Sequence, residues 1–490
     1  MTRRGTAALA LALFVGLLRA EPVEGPKLQY PVSEPPATLA KDYGAHVQRT
    51  MTLLATSTPE HRNKVRILVY GQSISEGVWW KYLEHDLRTR FPNADLEMVN
   101  RALGGHASNY LVREAETDVY PFYPDLVVFH VYGAHTCYEQ IISRIRSRTA
   151  AEVLMTTDHL GAQEKPDAQN QIVDDKWTSY MASFIPQVAA TYGCEVVNVR
   201  DPWKRYVLDN KLTAQSLLID SIHLGPQGNA LYAALIGRQL VYRPELKDKI
   251  DPEAVHTYEV GKDIQWKDGK LTLDFVGNRV LAIAGPAAAN AAAATVLVDG
   301  KKPSEFKECY AFTRAQGAMG KILAVGSVQP PLVEDWTFRI TAVDAAKKTF
   351  GYEMIGSKTG PDGRGNSTDR FVSTSGRIVL ETKVEKPEMA IESDLAIDAA
   401  RVKPGDEIKF QCYALHTDRY VAPSAKLLQD SALEHSTLLV QGIANGKHTL
   451  TLTAEGGGAE AAVAIQALRV YRPAVAPPAA MVYDTMHPPK

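Results

Sequence analysis

The sequence predicts an α/β domain over residues 61–245, with a parallel sheet covered by helices on both faces, followed by an all-β region over 255–473. Three observations carry this. From Val65 to Leu240, short apolar runs alternate with longer amphipathic stretches, the pattern of strands buried on both faces between crossover helices. After Tyr242 the texture changes to apolar–polar alternation with Gly turns and Thr, the period of half-buried strands. Between the two lies Asp220-Ser-Ile-His-Leu-Gly-Pro-Gln-Gly-Asn229, where glycines and a proline break the chain before a last helical stretch.

Taken in order, residues 1–20 read as an export signal. Arg3 and Arg4 precede an apolar run, Gly5–Leu18, too short to span a bilayer, and Ala20 offers a small residue for cleavage. Residues 21–60 form an N-terminal arm and helix: Pro-rich and loose over 21–38, helical over 39–60. Strands are expected at Val65–Tyr70, Leu96–Asn100, Leu126–Val131, Glu152–Thr156 and Glu195–Val199. Helices are expected at Trp79–Arg90, Asn109–Tyr120, Tyr138–Arg148, Asp174–Tyr192, Trp203–Asn210 and Asn229–Leu240. The β region carries alternation at Lys270–Val276, Thr295–Val298, Trp336–Ile340, Arg377–Leu380 and His448–Thr453, with hairpin signals at Asp299-Gly300 and Asn445-Gly446. The Pro- and Ala-rich stretch 474–490 is expected to be a disordered tail.

Composition is that of a globular protein, 45% hydrophobic and 22% charged, and a net charge of −2 gives no bulk attraction to nucleic acid or anionic membranes. The four cysteines have no CxxC spacing, which argues against zinc or redox sites. Export permits disulfides, and the shared Cys-Tyr-Ala context makes Cys309 with Cys412 the first pairing to consider among three. His106, His130, Asp158 and His159 offer no pair with metal-ligand spacing, so no metal and no cofactor is expected. Gly356-Ser-Lys-Thr359 lacks the first glycine of a phosphate loop, and Gly360-Pro-Asp-Gly363 lacks the closing glutamate of a calcium loop; both read as turns.

Chemistry concentrates at two places. Val65–Tyr70 runs into Gly71-Gln72-Ser73, which exposes a hydroxyl at the carboxyl edge of the sheet. Asp220 and His223 stand three apart on one turn, so the acid can orient the imidazole. A base of that kind needs a nucleophile, and Ser73 supplies it.

These residues resemble the SGNH (GDSL-type) hydrolases, over somewhat more than a third of the chain. Gly71-Gln72-Ser73 matches that family's Gly-Asp-Ser with the aspartate replaced, Gly104-Gly105 stand where it places a glycine after the second strand, and Asp220-x-x-His223 with Leu224–Gly228 matches its last block. The resemblance implies a three-layer α/β/α fold, Ser73, His223 and Asp220 as triad, and an oxyanion hole from the N–H groups of Ser73 and of Gly104 or Gly105. Its third block, Gly-x-Asn-Asp, is here Gly133-Ala-His135-Thr, so His135 is expected to donate in place of the asparagine, with Asn109 or a water as the alternative. The β half resembles a galactose-binding-like jelly roll or sandwich, split into 257–307 and 431–473 by an inserted β module at about 308–430.

The resemblance implies a secreted or periplasmic serine esterase that removes O-acetyl groups from a polysaccharide or glycan, with acetylated carbohydrate as its partner. A lysophospholipase, arylesterase or thioesterase on the same triad is the enzymatic alternative. A glycan-binding protein with a decayed hydrolase domain is the other. Val78-Trp79-Trp80 reads as helix packing ahead of sugar stacking.

Overall fold

The computed structural model describes residues 23–285, 293–382, 393–424, 428, 430–455, 463–474 and 481–486. The export signal expected at 1–20 lies outside them.

The α/β domain is built on a five-stranded parallel sheet, β1 (Lys64–Gly71), β2 (Asp95–Asn100), β3 (Leu126–His130), β4 (Glu152–Thr156) and β5 (Glu195–Val197), in the order β2-β1-β3-β4-β5. Two helical segments precede β1, α1 (Ala37–Ala40) and α2 (Gln48–Ala55), in place of the single helix expected over 39–60. The remaining helices are α3 (Ser73–Glu76), α4 (Trp79–Arg90), α5 (Ser108–Asp118), α6 (His135–Arg148), α7 (Lys176–Tyr192), α8 (Arg200–Asp209) and α9 (Pro226–Gln239).

Alternation along β1 explains the layers. Val65, Ile67 and Val69 point to one core with α2, α4, α8 and α9, whereas Leu68 and Tyr70 point to a second with α5, α6 and α7. The order reverses direction between β1 and β3, which leaves a crevice at the carboxyl ends of those strands. Trp79 is buried against Tyr232, ring centroids 5.1 Å apart, and its Nε1 donates to the Ile74 carbonyl, so this tryptophan packs the helix.

The first described residues are docked, not loose. Leu28, Tyr30 and Val32 pack on the first core, Gln29 N–H donates to Gln227 Oε1, and Tyr30 N–H to Tyr206 Oη. At the other end, Val482–Thr485, inside the stretch expected to be disordered, forms one helical turn on α6. Its Val482 and Tyr483 N–H groups donate to the Glu139 carboxylate.

The β region is antiparallel. Val255–Glu259, Lys270–Ala284, Ala294–Val298, Arg419–Tyr420, Ser436–Ala454 and Ile465–Tyr471 share one sheet. Tyr310–Phe312, Asp335–Asp344, Thr349–Gly356, Gly360–Asn366 and Glu407–Ala414 form another. Asp299-Gly300 does close a two-residue turn, with positive φ at both residues. Asn445-Gly446 does not. Ser436–Ala454 continues past it along Lys270–Ala284, and the dipeptide sits where the register slips between Gln441 and Gly446, a bulge. All four cysteines are free and buried, so the Cys309–Cys412 disulfide is not formed.

The two halves are pinned by charge. Arg113 of α5 holds Asp394 through two bonds of 2.8 and 2.9 Å, and Arg314 holds Asp118 in the same way. Asp394 and Asp118 are almost fully buried, so removing either arginine strands a buried charge.

Candidate active site

β1 ends at Gly71, with φ +153°. A Cβ there would lie 1.9 Å from the His130 carbonyl oxygen, so only glycine lets β1 leave the sheet beside the end of β3. Ser73 follows as the first residue of α3, half-buried, and its hydroxyl makes no hydrogen bond among the described residues. Gln72 Oε1 accepts the Tyr132 N–H at 3.2 Å and ties this turn to the segment after β3. Ser75 Oγ donates to the His130 carbonyl, and Asn100 Nδ2 donates to the Ser75 carbonyl at 2.7 Å.

Asp220 and His223 occupy a loop that closes on itself. Gly225 N–H donates to the Leu217 carbonyl and Ile219 N–H to that of His223. Asp220 Oδ1 accepts the N–H groups of Ile222 and His223 at 2.8 and 2.7 Å, which leaves Oδ2 aimed at His223 Nδ1, 2.7 Å away. An ionised carboxylate accepts only, so this network assigns the proton to Nδ1 and a free lone pair to Nε2, the tautomer of a general base. The same bonds, His223 N–H first, then Ile222 N–H and the His223 ring, push the Asp220 carboxyl down to about 2. The pair is open to water, its side chains 40% and 50% exposed.

Contacts from His159, Ala162 and Asn229 hold this loop to its surroundings. His159, just after β4, donates from Nε2 to the Ile222 carbonyl at 2.7 Å, and Ala162 N–H donates to the Ser221 carbonyl at 2.9 Å. Asn229 reaches both halves of the site. Its Nδ2 donates to the Leu224 and Gly225 carbonyls, and its Oδ1 accepts the N–H of Trp79, six residues beyond Ser73. Ile74 and Leu224 share one core. Asn229 thus ties the His223 loop to the helix that follows Ser73, and no hydrogen bond joins Ser73 to His223 among the described residues. Such bonds often tighten only when substrate is bound.

His159 gives a test of this support. Burial pushes its imidazole down to about 4, so it is neutral at pH 7. Its folded value lies below the unfolded one, so its neutral burial favours the fold above pH 6.5, and that contribution is lost as pH falls towards 4. His159→Ala is expected to lower stability by about 1–3 kcal/mol through the orphaned Ile222 carbonyl, and to weaken the pH dependence of stability between 4 and 6.5. Urea melts at pH 5 and pH 8 check both effects.

The residues expected as further oxyanion donors, Gly104, Gly105 and His135, lie after β2 and β3. Leu103–His106 is a turn closed by His106 N–H to the Leu103 carbonyl, with Gly105 at φ +77°, the positive value a type II turn needs at its third residue. The N–H groups of Ser73, Gly104 and Gly105 donate to no backbone carbonyl among the described residues. His135 is not in a loop. Ala134 caps α6, held by Ser108 Oγ at 2.7 Å, and His135 is the first helical residue. Its ring rests against Trp177, Tyr180 and Phe184 of α7, at 5.9, 4.9 and 5.5 Å. It makes no hydrogen bond among the described residues, and burial holds its pKa below the ordinary value against the opposing pull of Asp158. His130 pairs with Asp158 at 3.0 Å beneath this edge.

Sequence reasoning passed over Asn229 and Gln72 as supports and treated His159 only as a metal candidate. Asn229 does stand one residue past the matched block, and His159 follows Thr-Thr-Asp at the end of a strand. A cavity of about 680 Å³ lies elsewhere, between the ends of α5 and α6 and the β region; neither Ser73 nor His223 lines it.

No protein-family model matches the chain, and no curated protein matches it. Among solved structures it is similar to a two-domain esterase (CEX) active on acetylated mannans, 13% identical, covering 88% of this chain and 98% of that one, TM-score 0.35. It is also similar to the acetyl xylan esterase AlAXEase, 22% identical over 36% of this chain and 100% of that one, TM-score 0.32. A third is Axe2, an acetylxylan esterase from Geobacillus stearothermophilus, 15% identical over 38% of this chain and 98% of that one, TM-score 0.32.

Proposed function

We propose that the chain is an exported serine esterase of the SGNH type that removes O-acetyl groups from a polysaccharide or glycan. The observation that carries this is the Asp220 carboxylate, locked by two backbone N–H groups and aimed at His223 Nδ1, on the sheet edge that also presents the unbonded Ser73 hydroxyl. His223 Nε2 takes the Ser73 proton as Oγ attacks the acetyl carbonyl. The oxyanion is met by the N–H groups of Ser73 and of Gly104 or Gly105, and by the His135 ring. The tetrahedral species collapses to acetyl-Ser73, and the sugar hydroxyl leaves with the proton from His223. Water, activated by the same Nε2, then releases acetate and restores Ser73.

The exposure of Asp220 and His223 favours a large polar substrate. Charges in contact with water interact weakly, and a sugar surface that covers them removes that screening. The β region, in this reading a split jelly roll, serves as a second surface for the glycan.

Acetate release from acetylated mannan and acetylated xylan, beside turnover of 4-nitrophenyl acetate and of a long-chain 4-nitrophenyl ester, tests the proposal. Release from a glycan supports it. Preference for the long-chain ester would move the assignment to a lipid or thioester substrate, and loss of every activity in the folded protein would leave a glycan-binding role. His135→Ala is expected to lower kcat by about 100- to 1,000-fold with little change in KM, the signature of a donor used only in the transition state. An unchanged kcat on 4-nitrophenyl acetate would pass the role to another donor, with Asn109 the next to replace.

A further inference from the structure

A cavity of about 340 Å³ lies between the amino-terminal edge of the parallel sheet and the sheet that carries Lys270–Ala284 and Ile465–Tyr471. Five of its lining residues are cationic, and four of these are matched by an acid. Arg49 pairs with Asp125 at 2.8 Å, Arg66 and Lys64 with Glu97 at 3.1 and 3.7 Å, and Arg469 binds both oxygens of Glu434 at 2.6 and 2.7 Å. The fifth is Arg279. It is only 9% exposed, and among the described residues it has neither an ion-pair nor a hydrogen-bond partner; its Nε is buried with none.

The surroundings hold this guanidinium without satisfying it. Tyr123 and Tyr471 meet edge to face, 5.6 Å between centroids, and Arg279 Cζ stands 4.6 Å from each ring. Ring faces attract a cation but accept no strong N–H hydrogen bond. Burial lowers the Arg279 pKa and the charge of Arg66 adds to this, while Tyr471, Tyr123 and the Asp125 carboxylate, which lines the same cavity, pull the other way without outweighing burial. A buried cation with open donors, in a cavity with room for a sugar-sized molecule, lacks an acceptor of opposite charge.

We infer that this cavity is an oxyanion site in which Arg279 binds a carboxylate, sulfate or phosphate group through its free N–H donors. The planar fork suits two oxygens of one such group, and Tyr123 and Tyr471 fix its orientation. Two sources share this chemistry: an acidic saccharide, which would use the cavity volume, and a free inorganic anion. The site stands apart from the catalytic one. Lys64 opens β1 and Ser73 follows its end, so at about 3.3 Å per residue the eight-residue strand separates them by roughly 26 Å.

The test is calorimetric titration of the full chain at constant ionic strength with sulfate, phosphate and glucuronate, and with glucose as the uncharged control. Saturable binding of an oxyanion but not of glucose is expected. Tighter binding of glucuronate than of sulfate identifies an acidic saccharide as the source, and equal binding identifies the free anion. Arg279→Met, which keeps the stem against the two tyrosines, is expected to abolish saturation and to leave turnover of 4-nitrophenyl acetate unchanged. Arg279→Lys retains the charge, guards against a misfolded methionine variant, and is expected to weaken binding at least tenfold. No saturable binding of any oxyanion by the wild-type chain, or undiminished binding by folded Arg279→Met, would overturn the inference.

Discussion

Ser73→Ala is expected to lower ester turnover by about 10⁶-fold and to leave the fold intact. The loss is that large because the nucleophile is half of a covalent route; without it, His223 has no serine proton to accept. The fold survives because the Ser73 hydroxyl bonds to nothing among the described residues, so its removal orphans no partner. The turn is held instead by Gly71, Gln72 and Ser75, all untouched. Initial rates on 4-nitrophenyl acetate, with melting temperature as the control for folding, measure both halves. A folded Ser73→Ala variant retaining a few per cent of wild-type turnover is incompatible with the triad.

Asp220→Asn is expected to cost about 10⁴-fold in kcat, the scale seen when a triad acid becomes an amide elsewhere. The geometry gives the reason. Oδ1 is needed as an acceptor for the N–H groups of Ile222 and His223, which turns the new amide NH₂ towards His223 Nδ1. Nδ1 must then accept, the proton moves to Nε2, and the base is lost. The defect is expected across the pH range. In the wild type, Asp220 stays ionised down to about pH 2, so an acid limb of activity at higher pH does not come from this carboxylate. Asp220 is more acidic folded than unfolded, so its contribution is present above the unfolded value near 3.8 and is lost as pH falls through about 2.

The sequence made the sheet legible because the parallel strands are continuous apolar runs set apart by helix-length intervals, and each expected strand falls within two residues of the observed one. Asp220 and His223 were legible because their contact is local, three residues along one turn. What depends on tertiary contact was not. The expected helix Tyr138–Arg148 starts three residues short of the observed one, because the packing of His135 beside the rings of α7, more than forty residues later in the chain, leaves no local mark. Asn445-Gly446 has the composition of a hairpin, but the long partner strand Lys270–Ala284 carries Ser436–Ala454 past it. The segment 481–486 looked disordered by composition and docks because Glu139 offers its two terminal N–H groups a carboxylate. Asn229, which spans the nucleophile and base loops, acts entirely through contacts far apart in sequence.

Whether Ser73 is a nucleophile activated by His223 is read from brief incubation with diethyl 4-nitrophenyl phosphate, followed by intact mass and peptide mapping. One phosphoryl adduct per chain, on Ser73, is expected, absent in Ser73→Ala and slowed by orders of magnitude in His223→Ala. Acetate release that persists with Ser73 unlabelled, or an adduct on Ser73 that forms equally fast without His223, would contradict that assignment.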